Sequence, residues 1–214
     1  MPVQARDIHV QSLATSSALS EYYVPNLITP LEVIRVLNAA KVRFMLLGAH
    51  GLAGWMGKAR ATEDVDVLVG TRGHKKAVRA LLAAFSHLQS DDHEVVTRLR
   101  DPETGAVVID VMKTNQPLYR DALKYAHTVE SGGQRYQIPS LELALTTKFA
   151  AMISLTRADR DKFQDARDFM YIVDTNPDID FVKLHALGQL VYNGGGEEIV
   201  EKVRQVRAGE KLVL

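Results

Sequence analysis

The spacing of apolar residues changes along the chain, and the changes mark out the elements. Thr29-Pro30-Leu31-Glu32 opens the first clear helix, with Thr as N-cap, Pro at the first helical position and Glu at the third. Val33, Ile34, Leu37 and Ala40 continue it as an apolar stripe at helical spacing. A strand is predicted over 43–47, ending at Gly48, and a short helix over about 50–56. A second strand spans 64–69, and Ala77, Val78, Leu81, Leu82 and Phe85 mark a helix over about 73–87. Residues 95–99 and 106–112 read as a hairpin around Asp101-Pro102-Glu103-Thr104-Gly105, whose residues suit a turn. A short helix is expected over 117–125, and a second hairpin pairs 127–130 with 134–138 across Ser131-Gly132-Gly133.

From Ser140 onward the period is helical throughout, with helices over about 141–155, 160–173, 180–190 and 197–207. Residues 1–24 are polar, with SLATSSALS at their centre, and read as an arm. The expected organisation is therefore an N-terminal arm over 1–24, an α/β domain over 25–139 and a helical region over 140–214. The fold class is α/β (α+β), a mixed sheet flanked by helices. No internal repeat or low-complexity segment interrupts it.

Composition narrows the chemistry. Lys plus Arg and Asp plus Glu both number 26, so no global positive field draws in nucleic acid, and any such contact needs a local patch. The chain has no cysteine, which excludes disulfides, a thiol nucleophile and cysteine-ligated metal. The first twenty residues lack a basic start followed by an apolar core, and no apolar run approaches membrane-spanning length. A cytoplasmic protein without a membrane partner is expected.

The stretch GAHGLAGWMGKARATEDVDVLVG, residues 48–70, puts two carboxylates into an otherwise apolar strand. Residues i and i+2 of a strand share a face, so Asp64 and Asp66 point the same way, their Cα atoms roughly 7 Å apart. Val65, Val67 and Val69 point the other way, toward a core. On one reading the two acids simply face solvent. On the other they are partly buried, and their repulsion is relieved by a cation. Oxygen-only ligands favour Mg²⁺ or Mn²⁺ over zinc. Asp110 interrupts Val107-Val108-Ile109-Asp110-Val111-Met112 in the same way. If the two strands lie side by side, three acids converge on one site, an arrangement suited to phosphoryl or nucleotidyl transfer. Gly48 stands between a strand and a helical turn, where free backbone N–H groups bind phosphate well. Lys58 and Arg60 precede the acids, and Arg72, Lys75, Lys76 and Arg79 follow them.

These residues resemble the nucleotidyltransferase superfamily that includes DNA polymerase beta. Its pattern is a strand, Gly-Gly or Gly-Ser at a helix start, a spacer, Asp-hydrophobic-Asp on a strand and a third Asp on a later strand. Gly48-Ala49, Asp64-Val65-Asp66 and Asp110 fall on it. His50, Arg60 and Thr62 bring the stretch closer to a bacterial branch reading Gly-(Gly/Ala)-His-Ala, then Arg-x-Thr-x-Asp-hydrophobic-Asp. That branch includes toxin-like enzymes of abortive-infection and toxin–antitoxin systems. Ala49 departs from the second Gly or Ser and lacks a serine hydroxyl. The spacer to Asp64 is slightly long for the superfamily but suits this branch.

The resemblance covers roughly residues 30–170 and implies a nucleotidyltransferase-like sheet with a following helical region. It implies a metal-dependent enzyme moving a nucleoside monophosphate from an NTP, ATP among the candidates, to a hydroxyl on RNA such as tRNA, on protein or on a small molecule. Asp64, Asp66 and Asp110 would be the catalytic metal ligands. Gly48, Ala49, His50, Arg60, Thr62 and Lys148 would bind nucleotide. A cognate antitoxin or a second copy of the chain would be a partner. Relatives of this kind carry a Lys after the sheet, then a basic turn and Asp-x-x-Asp on the next helix, which Lys148, Arg157, Arg160, Lys162, Asp165 and Asp168 match. Lys148 is either a phosphate ligand or a surface lysine. Asp165 and Asp168 share a helix face and are expected to bond Arg157 or Arg160.

Other signals weigh less. Asp178-Ile179-Asp180 precedes a helix, so one Asp is an N-cap. Asn193-Gly194-Gly195-Gly196 lacks the Lys-Ser/Thr of a P-loop and reads as a flexible connector. Trp55 reads as a core or cleft-wall residue. Two other classes compete with the enzyme: a non-catalytic, antitoxin-like or partner-binding module keeping the fold, and a phosphatase with an Asp-x-Asp nucleophile. Leu68 disfavours the phosphatase, which wants a small or β-branched residue there and gives the upstream Gly-His and Arg-x-Thr no role.

Overall fold

The computed structural model describes residues 28–56, 62 and 64–212. The N-terminal arm and Arg60 lie outside the described residues. The chain divides into two compact units, one ending at Pro139 and the other beginning at Ser140.

In the first unit, helix α1 (Pro30–Ala39) begins on a complete capping box. The Thr29 hydroxyl accepts from the Glu32 N–H at 3.3 Å, and the Glu32 carboxylate accepts from the Thr29 N–H at 2.7 Å. Two otherwise orphaned donors are thereby satisfied. The predicted stripe buries Val33, Ile34 and Leu37. Strand β1 (Phe44–Leu46), helix α2 (Gly48–Met56), strand β2 (Val65–Val69) and helix α3 (Thr71–Ala84) follow. Strands β3 (Gln89–Asp92), β4 (Val96–Arg100) and β5 (Val107–Lys113) come next, then helix α4 (Pro117–Ala122) and the hairpin β6 (Ala126–Ser131) and β7 (Gln134–Pro139).

The seven strands form one mixed sheet in the order β3-β4-β5-β2-β1-β7-β6. Strand β2 runs antiparallel to β1 and parallel to β5. The β-period then sorts the side chains. Val65, Val67 and Val69 join Ile109, Val111, Leu99 and the apolar stripe of α1 in one core, with Ala77 and Leu81 of α3. Fully burying one such aliphatic contributes about 1.5–3 kcal/mol, so this row fixes the register of β2 against β5.

Strand β3 is absent from the hydrophobic pattern. Its Gln89-Ser90-Asp91-Asp92 contains no apolar residue because it is an edge strand, paired only to β4. Charge on such an edge discourages pairing with another chain.

The second unit holds helices α5 (Leu141–Met152), α6 (Asp159–Thr175), α7 (Phe181–Gly188) and α8 (Gly195–Arg207). Asp180 caps α7, accepting from the N–H groups of Val182 and Lys183 at 3.0 Å each, as the Asp178-Ile179-Asp180 pattern implied. The glycine run is not a free connector. A Cβ on Gly195 would stand 2.5 Å from the Gly188 carbonyl oxygen, and one on Gly196 would stand 2.6 Å from that of His185. These glycines let α7 and α8 touch backbone to backbone.

Candidate active site

The site begins at a chain reversal. After β1 the backbone takes a left-handed turn at Gly48, φ +56°, and enters α2. The Leu47 N–H donates to the Asp66 carbonyl at 2.8 Å, which ties the entry of α2 to β2. A Cβ at position 48 would lie 1.8 Å from Asp66 Oδ2. Glycine is therefore required twice, once for φ and once for the carboxylate that fills the space of a side chain. The opening backbone of α2, at Gly48, Ala49 and His50, thus starts beside one of the acids. Ala49 and His50 are buried.

Strands β2 and β5 are neighbours, and their parallel register sets Asp66 directly beside Asp110. Asp64 immediately precedes β2, two residues from Asp66. Each of the three acids offers a carboxylate oxygen within 4.8 Å of the others, and all three are half-buried. Two unit charges at that separation repel by about 3.5 kcal/mol at an effective dielectric of about 20. The Thr62 hydroxyl donates to Asp64 Oδ1 at 2.5 Å and so orients one member of the cluster.

Arg98 is a neighbour that sequence reasoning missed. The antiparallel register of β4 and β5 places it beside Asp110, with its Nε 3.8 Å from Asp110 Oδ1. Both atoms are buried without a hydrogen-bond partner. The signal lay in the alternation of Val96-Thr97-Arg98-Leu99-Arg100, which turns Arg98 away from the core face that Thr97 and Leu99 share. Burial raises the Asp110 carboxyl above the ordinary carboxylate value; the Arg98 guanidinium opposes the rise and the Asp64 charge adds to it.

An all-oxygen donor set of three carboxylates suits Mg²⁺ or Mn²⁺. The buried, unbonded Oδ1 of Asp110 is the kind of atom a cation would satisfy. The residues present therefore fit a divalent metal.

Lys148 belongs to the second unit, on α5. It is neither a surface lysine nor an unengaged one. Its Nζ lies 2.8 Å from Asp165 and 2.7 Å from Asp168, and its side chain is 9% exposed. Arg157 Nε closes on Asp165 at 2.6 Å, as the Asp-x-x-Asp pattern led us to expect, while Gln164 donates to Asp168 at 2.9 Å. Trp55 is half-buried, donates its indole N–H to the Pro139 carbonyl at 2.9 Å and tilts against the His127 ring.

No family model matches the sequence. No curated protein matches it either. Solved structures do. The chain is similar to an antigenic nucleotidyltransferase-like protein from Paracoccidioides brasiliensis, with a TM-score of 0.50 and 19% identity over 94% of this chain and 95% of that one. It is also similar to the antibiotic-resistance factor ANT(2'')-Ia, with a TM-score of 0.52 and 8% identity over 83% of this chain and 94% of that one. At these identities the likeness is one of architecture. The chain has the nucleotidyltransferase fold.

Proposed function

We propose that this protein is a divalent-metal-dependent nucleotidyltransferase that moves a nucleoside monophosphate from an NTP to a hydroxyl acceptor and releases pyrophosphate. The observation that carries the reading is the convergence of Asp64, Asp66 and Asp110 from two adjacent strands, with ligand atoms within 4.8 Å of one another. Three half-buried carboxylates this close are costly without a counter-cation. Asp64 and Asp66 would hold the metals, and Asp110 the one on the acceptor side. Bound Mg²⁺ or Mn²⁺ would neutralise charge on the phosphates and lower the pKa of the attacking hydroxyl.

The chain's own groups would do the rest. The backbone N–H groups at Gly48 and Ala49, where α2 begins, would cradle the triphosphate. Arg60 would add a charge-assisted contact to it. Thr62 holds Asp64 in place by its hydrogen bond. His50 would support the first turn of α2. Asp110 would help remove the acceptor's proton as the hydroxyl oxygen bonds to the α-phosphorus and the bond to the leaving pyrophosphate breaks. For Lys148, the ion pairs with Asp165 and Asp168 favour a structural role over a phosphate contact.

RNA, protein and small molecules all remain acceptor classes; the fold is shared with an antibiotic-resistance factor. The toxin-like branch, with its cognate antitoxin, ATP and a cytoplasmic setting, is the finer form of the proposal. It rests on the match at Gly48, Ala49, His50, Arg60 and Thr62. Among the described residues no helix is long and apolar enough to cross a membrane.

The test is incubation with each α-labelled NTP and Mg²⁺ or Mn²⁺, separately with tRNA, with cell lysate, with hydroxyl-bearing antibiotics and with the protein alone. Label on one fraction, lost in Asp64→Asn, supports the proposal and names the acceptor class. Folded protein that labels nothing would overturn it in favour of a partner-binding module.

A further inference from the structure

The sheet has a second feature on its other face that nucleotidyl transfer does not use. A cavity of about 750 Å³ lies among residues of α3, β3, β4 and β5. The period-2 rule separates it from the acids: Thr97 and Lys113 line it, whereas Arg98 and Asp110 point to the opposite side. Its volume is in the range of pockets that hold small organic ligands, roughly 300–1,000 Å³.

The lining has a definite chemistry. Val78 and Leu82 of α3 are partly buried aliphatics packed on the core, and they form an apolar wall. Beside them on the same helix stand Lys75 and Arg79, both exposed and four residues apart. Like charges at that spacing repel. Among the described residues neither has a carboxylate partner, and Arg79 Nε donates only to the Lys75 carbonyl, at 3.4 Å. The one carboxylate in the lining, Asp92, is already matched. Lys113 Nζ lies 2.8 Å from it, and the Thr97 hydroxyl donates to the same oxygen. His74 points inward and is satisfied by the Val111 carbonyl at 3.2 Å. The cavity is thus apolar on one wall and carries two unmatched cations at its rim.

We propose that this cavity binds a small amphipathic anion, with a carboxylate or phosphate head at Lys75 and Arg79 and an apolar body against Val78 and Leu82. The site is separate from the nucleotide site and its ligand is not a substrate of the transfer.

The probe is 8-anilinonaphthalene-1-sulfonate, an anion on an aromatic body, added to the intact protein. Its fluorescence should rise and saturate at one site per chain. Octanoate and octyl phosphate should displace it, and whichever is stronger names the head group. Octanol, the same body without charge, should need at least tenfold more. Lys75→Gln with Arg79→Gln should weaken the dye at least tenfold, with an unchanged urea midpoint. Leu82→Asn should weaken it as well. Asp64→Asn with Asp66→Asn should leave it unchanged. Displacement by octanol as good as by octanoate would overturn the proposal, as would wild-type dye affinity in the Lys75/Arg79 variant. Loss of the dye in the Asp64/Asp66 variant, or no fluorescence rise at all, would also overturn it.

Discussion

Gly48→Ala probes the junction of fold and site with a single methyl group. Two costs are separable. The backbone at residue 48 sits at φ +56°, where an L side chain loses roughly 1–2 kcal/mol. The added Cβ would also stand 1.8 Å from Asp66 Oδ2, while real Cβ contacts are essentially never under 3.0 Å. The carboxylate must therefore move by about 1.2 Å or more, the difference between those two distances. Mg²⁺ demands its oxygen ligands at about 2.0–2.1 Å in near-ideal geometry, so a shift of that size would remove Asp66 from the proposed ligand set. Gly133→Ala is the control, because Gly133 has φ +69° and a methyl added there would meet nothing within 4 Å. It carries the backbone cost alone. Urea unfolding should place Gly133→Ala about 1–2 kcal/mol below wild type and Gly48→Ala further below, because it adds the displacement of Asp66 to the same backbone cost. Calorimetric titration with Mg²⁺ and a non-hydrolysable NTP should show Gly48→Ala at least tenfold weaker, about 1.4 kcal/mol, and Gly133→Ala unchanged. Equal nucleotide affinity in all three proteins would refute the link between Gly48 and the metal ligand.

Other outcomes follow from the same geometry. Asp110→Asn should keep Mg²⁺-nucleotide affinity within about tenfold while transfer falls about a hundredfold or more, as read by titration and label transfer on one preparation. Asp64→Asn with Asp66→Asn should raise the melting temperature without metal, since repulsion is relieved, and abolish the gain that Mg²⁺ plus nucleotide gives wild type. Lys148→Met should cost about 3–5 kcal/mol in urea unfolding, because it leaves the buried carboxylates of Asp165 and Asp168 without their ammonium; a loss under about 1 kcal/mol would refute that role. Gly195→Val should destabilise the second unit by pushing α7 and α8 apart, and far-UV circular dichroism on heating measures it.

What the sequence revealed depended on how local the cause was. The capping box at Thr29 and Glu32 is written within four residues, and the helix starts there. The shared face of Asp64 and Asp66 also needs only the strand period. The adjacency of Asp66 and Asp110 does not follow from pattern, since it depends on β5 crossing over to pair with β2 in parallel. Arg98 escaped notice for the same reason: its meaning appears only in the antiparallel register that sets it beside Asp110. Strand β3 left no trace because an exposed edge needs no apolar residue. Gly195 and Gly196 resembled a loop because glycine records a need for space without saying what fills it. Lys148 read as either a phosphate ligand or a surface lysine, and its burial went unforeseen because it is a property of its partners on α6.

The register of β2 against β5 also has a kinetic meaning. Asp66 and Asp110 are 44 positions apart in the chain, 110 less 66. No hairpin or single helix contains the site; it comes into being only when a long loop closes and β5 docks on β2. The entropy of that closure must be spent before any contact across it is gained. A cation bridging the two strands, as proposed, would bind only after that closure. It should prolong the life of the folded state by slowing unfolding, with little effect on the rate at which the chain folds. A cation on the acidic cluster would then report that this long-range crossover is complete.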